Sequence, residues 1–183
     1  ASAHGDLAIN DYMCATLASE PTLLSPTKFH NSVHNAAVGY WTIGTGCMAS
    51  SNSVSSFEAT FAAGLLEAAA QCACDQQAVL LTGFDVQAVG PLASAVHSKG
   101  MLAAAMVIAP QRTERAVAAF EWSLASGPVQ PLAVQSDAAR ALKGNSLADA
   151  LPLYEALARG GDAKLALPLS ERLALRLSLR ALS

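Results

Sequence analysis

Residues 57–85 read FEATFAAGLLEAAAQCACDQQAVLLTGFD, and this stretch decides the fold class. From 59 to 74 the chain is rich in alanine, leucine and glutamate and poor in β-branched residues. Phe61, Leu65 and Leu66 recur there at helical spacing, so a helix is expected. Residues 78–84, AVLLTGF, form a short unbroken apolar run, the pattern of a strand covered on both faces. A helix followed by a covered strand is the building unit of an α/β layered domain.

Working upstream, residues 50–57 (SSNSVSSF) read as a serine-rich strand carried by Val54 and Phe57. A helix is expected over 31–43, closed by Gly44 and Gly46, and another over 6–19, where Leu7, Ile9, Met13 and Leu17 make a loose stripe ended by Pro21. Downstream, a second apolar run covers 101–108. Residues 112–124 read as helical, with Val117, Phe120 and Leu124 on one side, and 129–134 as a strand. Ser146 is expected to begin a helix with Asp149 as its capping-box partner, Leu151, Tyr154 and Leu157 as its buried stripe, and Gly160 and Gly161 as its stop.

The end of the chain has the clearest local pattern. Leu173, Leu175, Leu177 and Leu179 alternate with Ala174, Arg176, Ser178 and Arg180, the period of a half-buried strand. With 165–169 and the Ser170-Glu171 turn this predicts a terminal antiparallel hairpin. The expected whole is one α/β domain over 1–183, with a mixed, mostly parallel sheet flanked by helices.

Composition narrows the function. Of 183 residues 52% are hydrophobic and 14% charged, against about a quarter charged in ordinary soluble domains. A surface this poor in charge points to an oligomer interface. The longest apolar run, 101–110, is about half of what a membrane span needs. A net charge of −3 and no cluster of lysine and arginine argue against nucleic acid. Cys72 and Cys74 form a C-x-C pair with no second pair at zinc spacing, so no metal site is expected. Free thiols without a basic, apolar leader suggest the cytoplasm.

Three segments together, SPTKFHNSVHNAAVGYWTIGTG (25–46), FEATFAAGLLEAAAQ (57–71) and AVLLTGFD (78–85), resemble the N-terminal half of a β-ketoacyl synthase of the thiolase-fold superfamily. The resemblance is nearest to the short ketosynthase-like subunits of aryl polyene gene clusters. It implies a single thiolase-type half-domain without the C-terminal half of a full ketosynthase. In relatives an earlier strand and helix precede the strand-like residues 1–4, so either this family member is trimmed there or the sequence is. In that family a nucleophilic cysteine sits at a strand-to-helix turn, where free amides lower its pKa and hold the thioester oxygen. Laid over this sequence with Gly39 and Gly46 as anchors, the nucleophile's position falls on Glu58, which cannot form an acyl thioester. Active relatives also use two histidines from the C-terminal half, whereas the last histidine here is His97.

The resemblance therefore implies a subunit that is not an enzyme by itself, needs no cofactor and pairs with an active β-ketoacyl synthase as a heterodimer or heterotetramer. Its role would be that of a chain-length factor, shaping the partner's acyl pocket in polyene, polyketide or fatty-acid-like biosynthesis, with acyl carrier protein reached through the complex. The alternative is an acyl- or carrier-protein-binding scaffold without influence on length. The implied shared surface comprises Val54, Phe57, Glu58, Phe61, Tyr40 and Trp41, the last two read as core or interface aromatics, with lining of an acyl tunnel as their alternative. Glu58 itself has three readings: a carboxylate favoured by the helix dipole, an interface ligand, or a group acting in decarboxylation, against which its repulsion of a malonyl carboxylate weighs. His34, Asn35 and Gly39 are expected to be structural, with His34 bonded to backbone rather than paired with Ser32 as a base.

Overall fold

The computed structural model describes residues 1–127, 129–130 and 132–182. Helix α1 (Leu7–Ser19) begins where Asp6 accepts the amides of Ala8 and Ile9, both at 3.0 Å. The helix expected over 31–43 is two: α2 (Pro26–Asn31) and α3 (Ala36–Thr45). Between them the Ser32 hydroxyl bonds back to the Phe29 carbonyl, offering the chain an alternative to helical pairing. Gly46 ends α3 in the left-handed conformation, φ +64°.

Residues 50–56 are extended but form no strand, which corrects the expectation for 50–57. They touch the rest of the chain through the Ser2 amide on the Val54 carbonyl (3.1 Å) and the Ser55 hydroxyl on the Ala3 carbonyl (2.9 Å). Serine hydroxyls compete for the backbone groups that a ladder would use. A 3₁₀ turn, Phe57–Ala59, leads into α4 (Thr60–Asp75), as the opening stretch predicts. Phe61, Leu65, Ala68 and Cys72 form its buried stripe, and the face rests on β1 (Val79–Asp85).

The sheets are antiparallel, not mostly parallel. β1 pairs antiparallel with β2 (Leu102–Ile108), from Val79 opposite Ile108 to Asp85 opposite Leu102. A parallel pair needs a crossover, usually a helix. Here the connection instead doubles back on itself, holding a 3₁₀ turn (Gly90–Ser94) and a bond from the Ala88 amide to the Ser98 carbonyl at 2.9 Å. A parallel-type contact is made by Ala1 on β1: its nitrogen donates to Thr82 at 2.6 Å and its carbonyl accepts from Phe84 at 3.0 Å.

The helix expected over 112–124 is also corrected. Residues Ala118–Ser126 are strand β3, whose Phe120, Trp122 and Leu124 stand opposite Leu179, Leu177 and Leu175 of β5 (Leu173–Ala181). Pairing with β5 supplies the backbone partners that overrule a weak helical pattern. With β4 (Ala163–Ser170) these strands form a sheet in the order β3-β5-β4, and the predicted terminal hairpin is its β4-β5 part. Residues 129, 130 and 132–134 are not a strand, and Pro131 lies outside the described residues. Two short helices complete the chain, α5 (Asp137–Leu142) and α6 (Leu151–Arg159), the latter ending at Gly160. Asp149 does not serve Ser146 as a capping-box partner; it reaches α4 instead. The core lies where α4, α6 and the two sheets meet, around Phe61, Leu65, Leu147, Leu167 and Leu175.

Candidate functional site

The turn before α4 is strained and exposed. Phe57 has φ +47°, a conformation that costs a bulky L-residue about 1–2 kcal/mol. Its ring is 81% exposed, so no packing within the chain offsets that cost. The turn is held by Thr60, which is completely buried: its hydroxyl accepts the Ser56 amide at 2.9 Å and donates to the Phe57 carbonyl at 2.7 Å. Glu58 follows on the outside, exposed to solvent.

The inner side of the same helix end is occupied by the protein itself. Asp149 Oδ2 accepts the amide of Ala62 at 3.0 Å, so part of the α4 N-terminus is capped from within the fold. Burial pushes the Asp149 carboxyl up from the usual 3.8 to about 6; the Ala62 and Phe61 amides pull it down, and nearby Asp85 adds a smaller upward push. Its Oδ1 and the Tyr154 hydroxyl are buried with no hydrogen-bond partner among the described residues. Burial likewise pushes Tyr154 up to about 12, its ring packed 5.7 Å from that of Phe61.

A second polar knot fixes residues 1–5 to the end of β1. Asp85, 1% exposed, accepts from the Ser2 hydroxyl (2.8 Å), the Ala3 amide (2.9 Å) and the His4 amide (3.3 Å). Asn145 donates to the Asp85 carbonyl at 3.1 Å. His34 joins through Nε2, 2.7 Å from the Ser2 carbonyl. A carbonyl can only accept, so this nitrogen carries the proton and is not free to act as a base. The Ser2 proton already goes to Asp85, and the Ser32 hydroxyl to Phe29. The geometry thus contains no serine–histidine pair poised for acyl transfer among these residues.

The expected site residues separate into groups. Phe57 and Glu58 are exposed beside the turn, and Tyr40 and Trp41 are about half exposed on α3. Val54 and Trp41 line a groove of about 1190 Å³ that runs between α3, residues 47–54, α4 and β1. Phe61 is fully buried, so its placement at a shared surface is corrected: it anchors α4 in the core. His34 is bonded to the Ser2 backbone carbonyl. Asn35 precedes α3 but makes no side-chain cap, and a side chain at Gly39 would meet nothing within 4 Å, so neither is demanded by the packing. Sequence reasoning missed Thr60, Asp85, Asn145 and the true role of Asp149. The signal for Asp85 was a carboxylate closing an otherwise apolar strand. Cys72 is buried beside the Ile108 carbonyl and Cys74 is exposed, so the C-x-C thiols face apart.

Comparison with known proteins gives the class. The family described as "Beta-ketoacyl synthase, N-terminal domain" matches residues 1–169, and the chain belongs to that family. Among solved structures it is similar to a chain of the complex "Ketosynthase (ApeO) in Complex with its Chain Length Factor (ApeC)" from Xenorhabdus doucetiae. The TM-score is 0.72 at 23% identity, over 97% of this chain and 66% of that one, which establishes a shared α/β fold. No curated protein matches. None of the helices among the described residues is long and apolar enough to cross a membrane.

Proposed function

We propose that this chain is a non-catalytic, chain-length-factor-type subunit that pairs with an active β-ketoacyl synthase and shapes its acyl pocket. The observation that carries the reading is α3. Its sequence, AAVGYWTIGT, is apolar on nearly every side, yet none of its residues is buried. A helix apolar all round belongs in an interior. Ile43 and Met48, 81% and 95% exposed, continue the uncovered surface beyond it. Such a surface is completed by a second protein, and the likeness to a chain from a ketosynthase complex supports a ketosynthase as that protein.

The lack of independent catalysis is supported by Glu58 at the turn and by the Asp149 cap on α4. We read 1–183 as one ketosynthase-like domain acting in the cytoplasm, in polyene or polyketide assembly, with acyl carrier protein delivered to the complex. Bulky groups at a pocket floor limit chain length because each further two-carbon unit needs volume in a close-packed interior. The test is co-expression with the ketosynthase followed by Tyr40→Ala and Trp41→Ala variants. Stable co-purification and longer products support the proposal. Less product of unchanged length supports a scaffold that binds acyl chains or carrier protein, and a chain indifferent to the ketosynthase refutes pairing.

A further inference from the structure

We infer that Phe57 is the anchor this subunit inserts into an apolar cleft of its ketosynthase partner, and that Thr60 exists to hold it out. The inference rests on the pairing proposed above and specifies which side chain carries it. Three independent facts converge on the residue. Its backbone is in the left-handed region, where glycine is the unstrained choice. Its ring is uncovered, so the fold gains little from having an aromatic there. A fully buried threonine nevertheless bonds to both sides of the residue, to the Ser56 amide and to the Phe57 carbonyl, and fixes the strained turn.

Strain of this kind persists where surrounding structure over-determines it, and it concentrates at functional positions. A large, stiff aromatic presented on a rigid turn is the side chain that dominates binding at interface centres. Exposed Glu58 beside it adds a requirement on the partner: a hydrogen-bond donor or cation at the rim of the cleft. Thr60 is a positioning residue, acting through the conformation of Phe57.

The experiment compares stability and affinity in the same variants. Full-length wild type, Phe57→Gly, Phe57→Leu, Thr60→Val and Thr60→Ser are purified, their thermal unfolding is recorded, and their Kd for the purified ketosynthase is measured. Phe57→Gly is expected to raise Tm by about 2–4 °C through released strain. The same variant weakens binding roughly 10- to 100-fold through loss of the anchor. Phe57→Leu keeps most of the affinity. Thr60→Val weakens binding although Phe57 is present, and Thr60→Ser, which keeps the hydroxyl, restores it. Wild type that binds no better than Phe57→Gly, or a Phe57→Gly chain that is less stable alone, overturns the anchor while leaving pairing intact. Wild type that fails to bind at all refutes the pairing itself.

Discussion

Replacing Asp149 by asparagine should stabilise the protein at neutral pH and remove a titration from its stability curve. In the fold the carboxyl's pKa is pushed up to about 6 from the usual 3.8, chiefly by burial. At about 1.4 kcal/mol per pH unit, that difference is worth about 3 kcal/mol between the protonated and ionised forms. Because the folded value lies above the unfolded one, this group's contribution to stability is full below pH 3.8. It is lost as pH rises through about 6. Asparagine keeps an oxygen for the Ala62 amide and carries no charge to desolvate. The variant should therefore exceed wild type by up to about 3 kcal/mol at pH 8, with the gap closing around pH 6 and nearly gone at pH 4. Urea unfolding followed by circular dichroism at each pH reads the gap as a midpoint shift on the order of 1 M at the alkaline end. Taking the difference between the two proteins cancels the titration of other carboxylates. A gap that does not change between pH 5 and 8 refutes the reasoning. So does a variant less stable than wild type at pH 8, which would mean that the ionised carboxylate gains more from the α4 dipole than burial costs it.

Glu58→Cys should fold normally, since the position is exposed, and should show no condensation of acyl and malonyl thioesters when assayed alone. Turnover by that variant would refute the non-catalytic reading. Asp85→Ala leaves the Ser2 hydroxyl and the Ala3 and His4 amides without their acceptor, so it should cost roughly 2–4 kcal/mol in urea unfolding. An effect below about 0.5 kcal/mol, as at an ordinary surface site, would show that water replaces the carboxylate readily.

Patterns that repeat along one element were legible before any coordinates. The α4 stripe and the alternating leucines of β5 declare their period and their buried face locally. The apolar run of β1, by contrast, announced a strand covered on both faces, and the structure leaves the Leu80 and Thr82 side exposed. The β3 strand was misread because Phe120, Trp122 and Leu124 alternate beside alanines that suit a helix equally well; the rows of Leu175, Leu177 and Leu179 decide between them. The parallel sheet was misread because apolar runs report burial and not direction, which is set by how the connecting chain returns. At the candidate site, a glutamate at the turn was visible in the sequence, but its strained neighbour and the threonine clamp were not.

The sequence by itself determined that this is an α/β chain of the ketosynthase N-terminal type, ending in an antiparallel hairpin and carrying a carboxylate at the turn before its long helix. Only the tertiary structure decided that both sheets run antiparallel, that Asp149 caps α4 from across the core and that α3 is left uncovered. The physical reason is range. Periodicity and local residue preferences act within a few turns of chain, whereas Asp149 and Ala62 meet across 87 positions of sequence. Burial of a face likewise depends on which distant element comes to cover it, and among the described residues none covers α3 enough to bury any of its side chains.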